Sequence, residues 1–314
     1  MKHSIMYCRH SPRMPLALAS LGVMALACTG GAGTATSISN GPAISLVTTL
    51  YPLEYFAGRI GAQRVAVENL VSPGVEAHSF DPTPADIRKL DAADVILYNG
   101  FGFEPWIDRA LTAIGEGDRT VIRAGQEGGA GNGGQGDDDL DPHVWLDPSL
   151  ATDQVQLILS GLLRADPDGP AVYDANASTL VAELEALHSR FATGLESCNL
   201  DHFVTSHAAF GYLAERYDLE QVAISGLSPE AGPGAGDMAQ IADTIRDLGV
   251  EYIMVEPVIS TAFAQTLARE VGAELLSLHP LESLTPDQSD EGEDYFSLME
   301  ANLDNLRLAL ECDP

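Results

Sequence analysis

A chain of 314 residues carries 46 acidic against 16 basic side chains, for a formal charge of −30; such a surface repels phosphate backbones and anionic ligands, which excludes nucleic acid as a partner. Hydrophobic residues make up 45% of it and are spread along its length, so the composition is globular and long enough for two domains of ordinary size. Cations are the partners that charge favours, although most of these carboxylates are expected to be solvated surface.

Residues 1–27 read as a secretory signal peptide. Lys2, Arg9 and Arg13 precede the apolar run "PLALASLGVMALA", which is short for a membrane span. The small, polar stretch over residues 28–42 follows as a flexible tether. "ALAC" resembles the lipobox of bacterial lipoproteins, so Cys28 is the expected lipidation site, and plain secretion after cleavage at an alanine is the alternative. The mature chain is therefore expected outside the cytoplasm, in the periplasm or on the outer face of the cytoplasmic membrane. Cys8 leaves with the signal. Cys198 and Cys312 remain, either as a disulfide formed in an oxidising compartment or as two separate buried thiols.

From there the chain alternates between strand-like and helix-like segments. Apolar runs at 44–52, 64–73, 94–100 and 119–124 predict strands, with helical stretches such as "EYFAGRIG" and "TPADIRKLDAA" between them. The alternation stops at residues 169–198, where Leu180, Leu184, Leu187, Phe191 and Leu195 recur at helical spacing and predict one long helix. It resumes with strands predicted at 202–207, 219–225, 252–257 and 274–280. The expected fold class is α/β, with two pseudo-symmetric lobes (43–168 and 199–314), each a parallel sheet flanked by helices, joined by a rigid linking helix. A continuous helix as the connection restricts movement of one lobe against the other.

Open parallel sheets bind ligands beyond the carboxyl ends of their strands. His78 lies in the loop leaving the second strand, His207 ends "HFVTSH", and His143 sits in the proline-bounded "LDPHVWLDP". His279, at the end of "LLSLHP", is a spare candidate, whereas His188 and His202 read as surface or packing residues. Singly, each histidine is accounted for by a hydrogen bond in a loop. Together, in an exported acidic chain, three imidazoles and a carboxylate suggest a site for zinc or a neighbouring divalent ion. Neither H-E-x-x-H nor G-x-S-x-G occurs, so a zinc-dependent hydrolase is a weaker reading.

Five spaced segments, "PGVEAHSFDPTPADI", "DPHVWLDP", "SHAAFGYLAERY", "VEP" followed by "ST", and "HPLESLT" with "DYFSLMEANLDNL", together resemble the metal-binding lipoproteins of bacterial ABC importers for zinc and manganese. The resemblance covers essentially the whole mature chain. It implies a solute-binding protein that holds one buried divalent cation between its lobes and delivers it to a membrane permease; the mature chain is expected to be a monomer. It carries the ligand role to His78, His143 and His207, with Glu282 of "P-L-E" as fourth ligand and Glu293 or Asp294 as alternatives. Histidine at 207, where manganese-type relatives often have glutamate, favours Zn2+ over Mn2+. A manganese or iron carrier of the same family is the runner-up, and a surface attachment lipoprotein is the rival of another class. One departure is the segment 125–143, rich in glycine and acid but without histidine before His143, where many zinc-type members have a histidine-rich loop. It is expected to be a solvated insertion. Trp145 is expected to pack against the site, and Asp141 and Glu256 to orient imidazoles, with Glu76 a ligand of last resort. Closure on the ion is expected mainly from the loops bearing His143 and Glu282.

Overall fold

The computed structural model describes residues 42–115, 117–125, 140–229 and 232–313. The expected signal peptide, nearly all of the tether, Cys28 and most of the glycine- and acid-rich segment lie outside the described residues.

Four parallel strands, β1 (Ile44–Thr48), β2 (Val65–Asn69), β3 (Val95–Tyr98) and β4 (Thr120–Arg123), form a sheet in the order β2-β1-β3-β4. A second parallel sheet repeats the pattern with β5 (His202–Thr205), β6 (Glu220–Ala223), β7 (Tyr252–Val255) and β8 (Glu274–Ser277), in the order β6-β5-β7-β8. Val95, Ile96 and Leu97 are buried in succession, as a strand covered on both faces requires. The observed strands are shorter than the apolar runs, for local reasons. The first run includes Pro52, which starts helix α1 (Tyr51–Gly61). The second stops where the Asn69 side-chain oxygen accepts the Val71 N–H at 3.1 Å and turns the chain.

Helices α2 (Pro84–Ala92), α3 (Ile107–Ile114) and α4 (Pro148–Ala165) complete the first half. Helix α2 starts on a capping box, in which Thr83 accepts from the Asp86 N–H and the Asp86 carboxylate accepts from the Thr83 N–H. A methyl group at Gly161 of α4 would lie 2.0 Å from Ile122 of β4, so that glycine lets helix and sheet approach closely.

Helix α5 (Pro170–Leu195) runs 26 residues, about 39 Å at the usual rise. Its buried face, Tyr173, Ala177, Leu180, Leu184, Leu187, Phe191 and Leu195, advances by three or four residues and packs on α4, α1 and α10 (Tyr295–Ala309). The second half also contains α6 (Gly211–Arg216), α7 (Ala235–Leu248), α8 (Ala262–Val271) and α9 (Pro286–Glu291). Just beyond α5, Cys198 is disulfide-bonded to Cys312, tying the end of that helix to the C-terminal segment. Residues from Asn40 onward form one unit, whose main core joins Leu46 and Leu97 of the first sheet to Phe203 and Met254 of the second through the α5 face. Among the described residues, no helix is long and apolar enough to cross a membrane.

Candidate metal centre

Four side chains converge where loops from the carboxyl ends of both sheets meet. His78 comes from the loop after β2, His143 from the segment between β4 and α4, His207 from the loop after β5, and Glu282 from the loop after β8. Each has one nitrogen or oxygen within 4.8 Å of those of the others. His143 Nε2 lies 3.3 Å from His78 Nε2 and 3.4 Å from His207 Nε2. Glu282 Oε1 lies 3.2, 3.3 and 3.2 Å from the Nε2 atoms of His78, His143 and His207.

These five distances are close to the edge of a regular tetrahedron, and the sixth separation, His78 to His207, lies within 4.8 Å. In a regular tetrahedron an edge is about 1.63 times the distance from centre to corner, so edges of this length place the centre about 2.0–2.1 Å from each donor, the range of zinc–nitrogen and zinc–carboxylate bonds. Calcium, at about 2.3–2.6 Å and with six or more oxygen donors, needs a wider cage. Three imidazole nitrogens and one carboxylate oxygen at these separations form a donor set suited to a tetrahedral ion of zinc's size.

The outer nitrogens determine how the rings face the centre. His143 Nδ1 lies 2.7 Å from Asp141 Oδ1, and His207 Nδ1 lies 2.6 Å from Glu256 Oε1. A carboxylate accepts but cannot donate when ionised, so a ring proton sits on Nδ1 and Nε2 faces inward, its lone pair available to an ion once any second proton leaves. His78 is positioned differently. Its backbone N–H and that of Ser79 donate to the two Glu76 oxygens at 2.9 and 2.7 Å, and its ring lies 4.5 Å from the Phe103 ring, centroid to centroid. Glu76 thus shapes the turn and is absent from the cluster. Gly74, before that turn, has φ of +83° and donates to Leu284 O at 2.6 Å, which pins the His78 loop against the Glu282 loop.

Glu282 is placed by a buried scaffold. His279 N–H donates to Asn302 Oδ1 and Asn302 Nδ2 donates back to His279 O, both at 2.7 Å. His279 Nδ1 accepts the Leu281 N–H at 2.9 Å, which places its proton on Nε2, directed at Gln288 Oε1 3.0 Å away. Both of its nitrogens are thereby engaged, so this histidine supports the turn and does not join the cluster. Leu281 is buried with φ of 60°, a conformation a branched side chain avoids unless its surroundings impose it. Trp145 Nε1 donates to Pro280 O at 2.7 Å, and Tyr295 Oη donates to Trp145 O at 2.6 Å.

Glu293 and Asp294, the alternative fourth ligands, stand elsewhere. Asp294 caps α10 by accepting the Ser297 N–H at 2.9 Å and accepts from Tyr55 Oη at 3.1 Å, while Glu293 accepts from Ser297 Oγ at 2.5 Å. The structure brings neither into the cluster. Sequence reasoning missed Phe103, Asn302 and Tyr295. No local pattern could have found them, because each meets its partner across a long stretch of chain.

Burial opposes charge on His207, yet the carboxylates of Glu256 and Glu282 outweigh it and raise the imidazole pKa to about 10. Burial likewise opposes charge on His143, and Asp141 with Glu282 carries it upward. For Glu282 the burial penalty is outweighed by the three histidines, which hold its carboxyl well below the ordinary value. The site is built for positive charge at its centre.

The family profile described as "Zinc-uptake complex component A periplasmic" (ZnuA) matches residues 46–309. The high-affinity zinc uptake system protein ZnuA of Bacillus subtilis (strain 168) is 32% identical over 305 residues, covering 93% of this chain and 96% of that protein. The zinc-binding lipoprotein AdcA of Streptococcus pneumoniae (strain TIGR4) is 36% identical over 276 residues; that covers 84% of this chain but 55% of AdcA, so the chain spans about half that relative's length. The crystal structure of the Zn(II)-bound ZnuA-like domain of the S. pneumoniae AdcA superposes with a TM-score of 0.75 at 35% identity, covering 85% of this chain and 99% of that domain. The chain belongs to the ZnuA family of periplasmic zinc-uptake components.

Proposed function

We propose that the protein captures zinc outside the cytoplasm through His78, His143, His207 and Glu282 and hands it to an ABC permease. The observation that carries this reading is the set of five donor separations between 3.2 and 3.4 Å, which match the edges of a zinc tetrahedron. Three nitrogens and one oxygen suit zinc better than manganese, whose sites are richer in oxygen. Family membership supports the transport role.

Four protein ligands also argue against catalysis. A catalytic zinc keeps a coordination position for water or substrate, and a closed tetrahedron leaves none. The ion is here the cargo. We assign the lobes to residues 43–168 and 199–314, with 169–198 as the strut between them, and read the mature protein as a monomer anchored by lipid at Cys28.

The purified full chain, stripped of metal, is titrated with zinc and with manganese against a chromogenic chelator. One tight zinc site, weakened by orders of magnitude in His78→Ala and His207→Ala, is the expected result. Preference for manganese overturns the choice of ion, and wild-type affinity in either variant removes that residue from the site.

A further inference from the structure

Glu256 accepts the His207 Nδ1–H through Oε1, but its other oxygen has a separate environment. Oε2 is buried and has no hydrogen-bond partner among the described residues. A bare carboxylate oxygen in a protein interior is costly, and its persistence calls for an occupant that comes and goes. Glu256 lines a small cavity together with Val75, Glu76, Ile259, His279 and Glu282. The cavity lining runs from Val75, which is 38% exposed, to the buried Glu256 and Glu282, so it includes both a surface residue and the oxygen donor of the cluster. Its free interior is about 10 Å3, on the order of one water or one partly dehydrated ion. Its lining comes from both halves of the chain, residues 75–77 from the first and residues within 256–259 and 279–283 from the second.

We propose that this cavity is the passage by which zinc enters and leaves the centre, and that Glu256 Oε2 is a transient ligand on the way. This rests on the zinc-carrier reading. An ion shedding its water needs replacement oxygens before it reaches the imidazoles. Glu256 offers one while its other oxygen holds the His207 ring, so the ion passes to Glu282 Oε1, which lines the same cavity, without being stranded uncoordinated. Glu256 is thus both a positioning residue for His207 and a separate, weaker metal subsite.

Stopped-flow mixing of the metal-free full chain with zinc chloride, followed by dissociation into excess chelator, separates the two roles. Glu256→Gln keeps an amide oxygen that can accept from His207 but removes the charged oxygen, and zinc association is expected to slow at least tenfold. Asp108→Asn removes an exposed carboxylate at the start of α3 that lines no part of the cavity and touches none of the four donors; its association rate is expected to stay within twofold of wild type. Val258→Trp, with Ile259→Trp as a second plug in case the first fails to fold, is expected to slow association and dissociation together at least tenfold while the dissociation constant stays within threefold. Wild-type association in Glu256→Gln, with the effect confined to dissociation, would make Glu256 a positioning residue alone and overturn the subsite. Unchanged exchange in a folded plug variant would overturn the passage. Failure of the wild-type chain to bind zinc at all sinks the carrier reading and this proposal with it.

Discussion

Acidification from pH 8 to pH 6 should weaken zinc binding at least 100-fold. In the ion-free protein the His207 imidazole has its pKa raised to about 10, so it carries a proton throughout that interval. Zinc needs the Nε2 lone pair and must displace that proton, which makes the apparent affinity fall tenfold for each pH unit per proton released. His207 alone therefore accounts for about two powers of ten between pH 8 and pH 6. His143, whose pKa is also raised, adds to the loss toward the lower end. Chelator competition at pH 6, 7 and 8 measures the slope. Calorimetry at pH 7 in two buffers of different ionisation enthalpy counts the protons directly, and at least one per zinc is expected. A flat affinity profile with no proton release would show that His207 and His143 are already unprotonated in the empty site, refuting the account of its electrostatics.

The same shifts set the stability of the ion-free fold. The folded pKa of His207 lies above its unfolded value of about 6.5, so its contribution is complete below that value and disappears as pH rises toward about 10; thermal melting of the ion-free chain between pH 6.5 and 10 should show it. Glu282 acts in the opposite sense, with a contribution present above its ordinary pKa and lost as pH falls. Asp141→Asn should cost about 10- to 100-fold in equilibrium zinc affinity, because a neutral acceptor orients His143 less strongly; affinity equal to wild type would count against the ring assignment. Asn302→Ala leaves the His279 N–H and C=O without their partner, a loss of about 1–3 kcal/mol in denaturant unfolding, with weaker zinc binding because the Glu282 turn is released. Replacing Cys198 and Cys312 together by serine opens a disulfide whose halves are 114 residues apart, expected to cost about 2–5 kcal/mol of stability and to leave zinc affinity nearly unchanged.

The architecture was legible in the sequence because two periodicities with little overlap carry it. Buried parallel strands read as short apolar runs, and α5 reads as a three-to-four repeat from Tyr173 to Leu195, so both survive without knowledge of partners. The histidines could be placed because the rule for strand ends applies to each loop separately. The resemblance put Glu282 ahead of Glu293 and Asp294, but periodicity and spacing could not separate acids near the end of the chain; the packed fold shows Glu282 facing three imidazoles and Asp294 capping a helix. Asn302 and Tyr295 were illegible for the same reason, since their roles consist of hydrogen bonds to segments 23 and 150 residues away.

Sequence reasoning also expects closure on the ion from the loops bearing His143 and Glu282, and their bonding argues for a different division of labour. Those loops are fastened together by Trp145 Nε1 on Pro280 O, and the His78 loop is fastened to the second by the Gly74 N–H on Leu284 O and by Ser283 Oγ on Ser72 O. Across the other side, Tyr212 Oη donates to Asp141 O and Arg216 pairs with Asp147, holding the His143 segment against α6. Movement of any one of these loops breaks hydrogen bonds that tie it to its neighbours, that of Trp145 to Pro280 O buried among them. Capture then requires little reordering of the backbone, which favours affinity because preorganised donors lose little entropy on binding. Release must draw on a part of the wall outside this web, and the segment 256–259 borders the cavity while Pro257 within it is exposed. A transporter that displaces this segment would uncover Glu256 and free His207 without dismantling the scaffold that makes the site tetrahedral.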